Sequence, residues 1–222
     1  MAEQAVGRRR TSRKRKYEMK RRAERQQATR RRIVEATVAL HEEIGPLRTS
    51  FSDIAKRAGV QRLTVRAHFP ALPGLFAACS SLFFTRNPPP DPERWRAMPD
   101  PRVRLRKALG KLYVFYGRTE QMLGNVTRDA ELAPGLVGVP YTRLLLRMRK
   151  ALSAGWPVDD NRKPLFLAAL GHALEFTTWR SLVRDHGLRT GQAVDLMVAL
   201  AVKAQALRSP DRDPRPSPSP RE

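Results

Sequence analysis

Acid is scarce in this chain. It holds 43 Lys and Arg against 21 Asp and Glu, a formal net charge of +22 over 222 residues. A surplus that large calls for a polyanionic partner, nucleic acid first and an anionic membrane surface second. Cysteine is nearly absent: Cys79 stands alone, which excludes an internal disulfide framework and a Cys-based metal cluster and fits a reducing cytosol. No apolar run approaches the ~20 residues that span a bilayer. The basic N-terminus is followed by no apolar stretch, so a secretory signal is not expected. Strand-like alternation and internal repeats are also missing, which leaves an all-α fold class. There is no Gly-rich phosphate loop, no Gly-x-Ser-x-Gly and no His-Glu-x-x-His, so neither an enzyme nor a cofactor is expected. Asp159-Asp160 follows Trp156-Pro157 and reads as a helix cap or solvated turn. His68 has no His, Cys or acidic partner at ligand spacing, so no metal site is expected.

The positive charge is concentrated. Arg8 to Arg32 holds 14 Lys and Arg against Glu18 and Glu24, which is +12 of the total. Residues 1–28 read as a basic arm, disordered or a frayed helix when free. From Ile33 onward apolar residues (Ile33, Ala36, Leu40, Ile44) fall at helical spacing, with Thr37 among them, until Gly45-Pro46 stops the helix. Thr49 or Ser50 can cap the next helix, and Asp53 at Ser50 plus three approaches a capping box. That helix is short and ends at Gly59. Another runs from about Gln61 to Pro70, and a fourth stretch covers 74–86. The run Asn87-Pro88-Pro89-Pro90-Asp91-Pro92 cannot be helical. Beyond it, helical patterns cover 101–117, 119–132, 140–153, 163–186 and 191–207. Residues 208–222 alternate Pro with Ser and charge and read as a disordered tail.

Two short helices that cross steeply need a small residue at the contact and a tight turn. Ala55 and Gly59 supply these, with φ > 0 expected at Gly59. Val60 covers the inside of the turn, and Ile54, Val65 and Phe69 complete a small core. Gln61, Arg62, Leu63 and Arg66 are left on the outer face, which suits a DNA major groove. Arg62 can donate twice to guanine, Gln61 can pair with adenine, and Leu63 can meet a thymine methyl. Arg66 sets a second guanidinium one turn on. Ser50, Ser52, Thr64 and His68 are better placed for phosphates, which fix register. A solvated helix face would explain three such polar residues taken singly.

Three blocks in order change that balance: Ile33-Val34-Glu35-Ala36, Ile54-Ala55-Lys56-Arg57-Ala58-Gly59-Val60 and Thr64-Val65-Arg66-Ala67-His68-Phe69-Pro70. Together they resemble the N-terminal domain of TetR/AcrR-family regulators over about residues 30–76. Arg66 stands where that family usually has Tyr, and Leu72 lies near a place where Lys is common. The resemblance implies a three-helix helix-turn-helix DNA-binding domain over 29–76 and a helical ligand-binding and dimerisation domain over 77–207. It also implies a cytoplasmic bacterial repressor that binds a palindromic operator in double-stranded DNA as a homodimer, closed by the last two long helices (about 163–207), and that answers to a small-molecule effector. No membrane partner is expected.

In the arm, Arg13, Lys14, Arg15, Lys16, Arg21 and Arg22 are candidate DNA-backbone contacts, since each neutralised phosphate releases counterions. A passive solubilising tail is the plainer reading. Minor-groove insertion, backbone tracking and an N-terminal extension of the first helix are all open. Trp95, Tyr113, Tyr116, Met122, Asn125, Arg128, Tyr141, His172 and Phe176, with Trp179, are candidates for lining an effector pocket. Each taken singly fits ordinary core or interface as well. Cys79 reads as a small buried apolar residue. The competing function is a low-specificity, nucleoid-type architectural binder. Total charge favours it, the ordered head motif argues against it, and competition with random DNA separates the two.

Overall fold

The computed structural model describes the backbone of residues 2–206 and the side chains of residues 17–206. The expected disordered tail, and the side chains of Arg13, Lys14, Arg15 and Lys16, lie outside the described residues. In chain order the helices are α1 Ala2–Glu43, α2 Phe51–Ala58, α3 Arg62–His68, α4 Leu72–Arg86, α5 Glu93–Arg96, α6 Pro101–Arg118, α7 Glu120–Leu132, α8 Val139–Ser153, α9 Lys163–Leu174, α10 Phe176–Arg180 with a π turn at Ser181–Asp185, and α11 Thr190–Ala206. Among the described residues there is no strand, and the fold class is all-α as expected.

These helices form two compact units. One takes the chain up to Pro88 together with Glu120–Pro140; the other takes Pro89–Thr119 and the chain from Tyr141 on. The division differs from the expected boundary after residue 76. α4 is one helix that carries Cys79 and Phe83 into the N-terminal core, so it cannot be divided at its middle. α7 returns to the same core, where Met122 is buried.

The N-terminal unit is built on α1. Ile33, Val34, Ala36, Val38 and Leu40 are buried against Ile54, Ala55 and Ala58 of α2, Val65 of α3 with Phe69 just beyond it, and Leu75, Cys79 and Phe83 of α4. Burying side chains of this size stabilises by about 1.5–3 kcal/mol each. α3 and α4 meet at 82°, across a break at Pro70 that no helix can continue through. Glu35 ties α1 to α4 by accepting from Arg86 at 2.8 Å and from Arg31 at 3.1 Å. Cys79 donates weakly to the Val34 carbonyl, and burial pushes its thiol up to about 12, so it behaves as an inert apolar residue.

Residues 2–28 are helical: of the states left open for the arm, it takes that of an N-terminal extension of the first helix, not a disordered segment. The run has no Pro, one Gly, and mostly Arg, Lys, Glu, Gln and Ala, all good helix formers. It continues a helix already nucleated by the packed segment from Ile33, so it escapes the cost of starting one.

In the second unit, α6, α9 and α11 pack around Leu105, Leu109, Leu112, Phe166, Leu170 and Met197. Asp100 caps α6 by accepting from the backbone of Arg102 and Val103, with Pro101 opening the helix. The stretch expected to be one helix over 163–186 is broken at Glu175, which is extended. Tyr113 donates to the Ala173 carbonyl at 3.0 Å, and Tyr116 donates to Leu174 at 2.5 Å. Two carbonyls at the end of α9 are thus satisfied from α6, and the helix restarts as α10.

Candidate nucleic-acid interface

The turn between α2 and α3 is made as the residues dictate. Gly59 adopts φ 65, ψ 43, the left-handed conformation that avoids steric cost only without a Cβ. The Val60 N–H donates to the Ala55 carbonyl at 3.0 Å and closes the turn. Ser50 caps α2 in a full capping box: the Asp53 N–H donates to the Ser50 hydroxyl, and the Asp53 carboxylate accepts from the Ser50 backbone N–H at 3.0 Å. The hydroxyl also donates to Asp53 at 2.6 Å. These bonds, that from the Ser50 side chain foremost, hold the Asp53 carboxyl below its ordinary range. Ser50 was expected at a phosphate, but its hydroxyl proton is committed to Asp53. Ser52 is exposed beside it.

α3 buries one side chain, Val65, and turns the rest outward. Gln61, Arg62, Leu63 and Arg66 are exposed, Leu63 to 76%. An apolar side chain that open takes no part in the core. Arg66 lies over the Phe51 ring at 5.3 Å, so its guanidinium is held against the start of α2 by a cation–π contact. Thr64 and His68 are half-buried at the edges of the face.

Two contributors were not read from the sequence. Arg30 of α1 stacks on Phe69 at 4.6 Å. An open groove of about 600 Å³ runs beside it, lined by Lys20, Ala23, Glu24, Gln26, Gln27 and Arg30 of α1 and by Ala67 and His68 of α3. α1 was legible as a packed helix only from Ile33, so nothing in the pattern set its earlier turns next to α3. Arg21 and Arg22 are exposed on that same part of α1.

The residues read as effector-pocket candidates fall in both units. In the N-terminal unit, Asn125 donates to the His41 and Glu42 carbonyls at 3.1 and 2.7 Å, and Arg128 donates to Ile44 at 3.1 Å and to Asn125 at 2.9 Å. Their polar groups are spent on the end of α1, and Met122 is in the core there. In the second unit, Tyr113 stacks on Tyr116, Phe176 and Tyr141 meet Tyr116 edge-on, and Trp179 lies tilted against it. Tyr116 gives its proton to Leu174, so Tyr141 is the donor in their 3.0 Å contact. Burial raises all three tyrosine hydroxyls above their ordinary value. Trp95 is buried on α5, and His172 is exposed, its Nδ1 3.1 Å from the Thr178 hydroxyl. Among the described residues, no cluster of three or more His, Cys, Asp or Glu is arranged to hold a metal ion, and no single helix is long and apolar enough to cross a membrane.

Residues 33–79 match the family model for bacterial regulatory proteins of the tetR family. The fold resembles the crystal structure of a TetR-like transcriptional regulator from Rhodococcus sp. RHA1, at 21% identity and a TM-score of 0.55, over 81% of this chain and 97% of that one. A second structure, a TetR transcriptional regulator from the same organism, aligns at 20% identity and a TM-score of 0.46, over 82% of this chain and 99% of that one. Among curated proteins none matches. The first likeness gives the fold, and the family match falls on the helices that carry the exposed Gln61–Arg66 face. Residues 33–79 are thus similar to the DNA-binding domain of bacterial regulatory proteins of the tetR family, on a chain whose fold is that of a TetR-like regulator.

Proposed function

We propose that this regulator is a repressor that reads a palindromic operator as a homodimer and is released by a small-molecule effector, acting in the bacterial cytoplasm. The observation that carries the reading is the outward set Gln61, Arg62, Leu63 and Arg66 on a helix anchored by Val65 alone. Arg62 and Gln61 supply bidentate donors to base edges, and Leu63 supplies an apolar contact. Ser52, Thr64 and His68 fix register on phosphates. Two such helices reach successive major grooves when they sit one helical turn (~34 Å) apart.

Dimerisation is supported by an exposed apolar face on α9 and α11, where Leu165, Leu196 and Leu200 are 46%, 47% and 40% accessible beside Ala168 and Ala199. A second copy of the same face would cover it. The effector reading rests on the second unit. There the buried Tyr116–Tyr141 hydroxyl pair lies among the rings of Tyr113, Phe176 and Trp179, and the exposed Glu175, whose carboxyl desolvation raises above its ordinary range, lies near both hydroxyls. A ligand that favours another spacing of the DNA-binding heads would shift the population away from the DNA-competent form.

Selection of bound sequences from a random DNA pool tests the reading, with a palindrome as the expected result. Arg62→Ala should cost ~1–3 kcal/mol and relax preference at one base position in each half-site. Affinity lost equally on every sequence would refute base reading by Arg62.

A further inference from the structure

We infer that the exposed stretch of α1 from Tyr17 to Ala28 is a helical DNA-binding rod that grips phosphates flanking each half-site, an inference that rests on the DNA-reading role of α3. Every side chain from Tyr17 to Ala28 is exposed, and among the described side chains of α1 the first buried one is Ile33. At about 1.5 Å per residue, the helix carries Tyr17 roughly 20 Å beyond Arg30, which itself rests on Phe69 at the end of α3. The rod is therefore fixed in direction at its root, beside the reading helix. Between the two lies the open groove of about 600 Å³, with Lys20 and Arg30 on one wall and His68 on the other. Glu24, its one acid, is 4.0 Å from Lys20. A strand of the sugar-phosphate backbone bordering the base pairs read by α3 fits this groove.

The distribution of charge selects DNA over a lipid surface. At about 100° per residue, Lys20, Arg21, Arg22 and Arg25 point to different sides of the helix, and Arg30, Arg31 and Arg32 do the same at its root. A membrane-lying helix needs an apolar face, and residues 20–32 present none. A rod that is basic all round instead suits a groove with phosphates on both walls. Like charges one turn apart, as at Arg21 and Arg25, destabilise the free helix, so phosphate contact should also raise its helicity.

The full chain can be titrated onto the selected site in two duplexes, one trimmed to the site and one extended by about one helical turn (~34 Å) at each end. The wild type is expected to bind the extended duplex roughly tenfold more tightly, from the added phosphate contacts. Ala28→Pro leaves the charge unchanged and gives the packed part of α1 a new first turn, where Pro is tolerated. It should abolish the preference for the longer duplex while keeping selectivity for the site over random DNA; Ala28→Ser, equally neutral but compatible with a helix, should behave as the wild type. The triple variant Lys20→Ala/Arg21→Ala/Arg25→Ala should flatten the salt slope on the extended duplex by about 2–3. A wild-type preference that survives Ala28→Pro overturns the rod, since an unstructured basic tail would then suffice. Absence of any preference in the wild type, or capture of the segment by anionic phosphatidylserine vesicles in place of DNA, overturns it as well. If no site emerges from the pool, the base-reading proposal fails separately, and the salt slopes of wild type and triple variant on random duplexes still decide whether the rod touches phosphates.

Discussion

Replacing Asp129 should loosen the DNA-reading unit from a position more than sixty residues beyond the helix-turn-helix. Asp129 is 2% exposed on α7. One carboxylate oxygen accepts from the Leu47 backbone N–H at 2.8 Å, and the other accepts from Arg128 Nε at 2.8 Å. It also lies against Gly45, whose φ of 99° already demands glycine and where an added Cβ would sit 2.7 Å from Asp129. The carboxylate therefore holds the α1–α2 connection, and with it the start of α2. Asp129→Ala removes two hydrogen bonds to a charged group, each worth about 1.5–3 kcal/mol, and strands the Leu47 N–H. A loss of ~3–5 kcal/mol is expected, a large share of a domain's usual ~5–15 kcal/mol. Asp129→Asn keeps the shape and one acceptor for Leu47 but turns an amide donor toward Arg128, so roughly half that loss is expected. Urea unfolding followed by circular dichroism should show the midpoint falling in the order wild type, Asn, Ala at constant m. Hydrogen exchange should find the Leu47 amide protected in the wild type and open in Asp129→Ala. A midpoint for Asp129→Ala within ~0.5 kcal/mol of wild type, the range of ordinary surface substitutions, would refute the clamp.

Other substitutions probe the turn, the core and the expected interface. No atom lies within 4 Å of a Cβ added at Gly59, so Gly59→Ala should cost only the left-handed backbone penalty of ~1–2 kcal/mol, and Gly59→Asn less; thermal unfolding that ranks them the other way would show hidden crowding. Burial holds the His41 imidazole down to about 4 from 6.5 against the pull of Asp129, and its Nε2 has no hydrogen-bond partner. The unfolded chain then takes the proton first, so stability present above pH 6.5 is lost as pH falls toward 4, by ~3 kcal/mol in all; urea midpoints at several pH values should show a shallower loss for His41→Leu. Leu196→Glu with Leu200→Glu places charge on the exposed apolar face, and sedimentation should report a monomer with weakened operator binding if that face joins two copies. An unchanged dimer mass would locate the interface elsewhere.

What the sequence made legible was set by local rules. Gly59, Ala55 and the Ser50–Asp53 pair each determine their own few residues of backbone, and the structure shows the turn and the capping box where those residues stand. The outward face of α3 followed from one period of helix around Val65. Local rules fall short where a segment's state depends on what it meets far along the chain. Residues 2–28 lack an apolar face, and are helical as the continuation of a helix stabilised further on. Residues 163–186 look uniformly helical until Tyr113 and Tyr116, some sixty residues earlier, take two carbonyls at the break. The α7 clamp is the instructive case, because its signal is present in the sequence and fits two kinds of partner. Met122 and Val126 mark the inner stripe of that helix, and Asn125 and Asp129 fall on the same stripe at i+3 and i+7. A polar side chain aimed into a core must find a hydrogen bond. An effector would meet that requirement for Asn125 and Arg128 from outside the chain, a neighbouring element from inside it. The structure meets it from within, with the carbonyls of His41, Glu42 and Ile44 where α1 runs out of intrahelical partners. An inward polar pair on one helix is thus first a reason to look for another helix's unsatisfied end, and only then for a ligand.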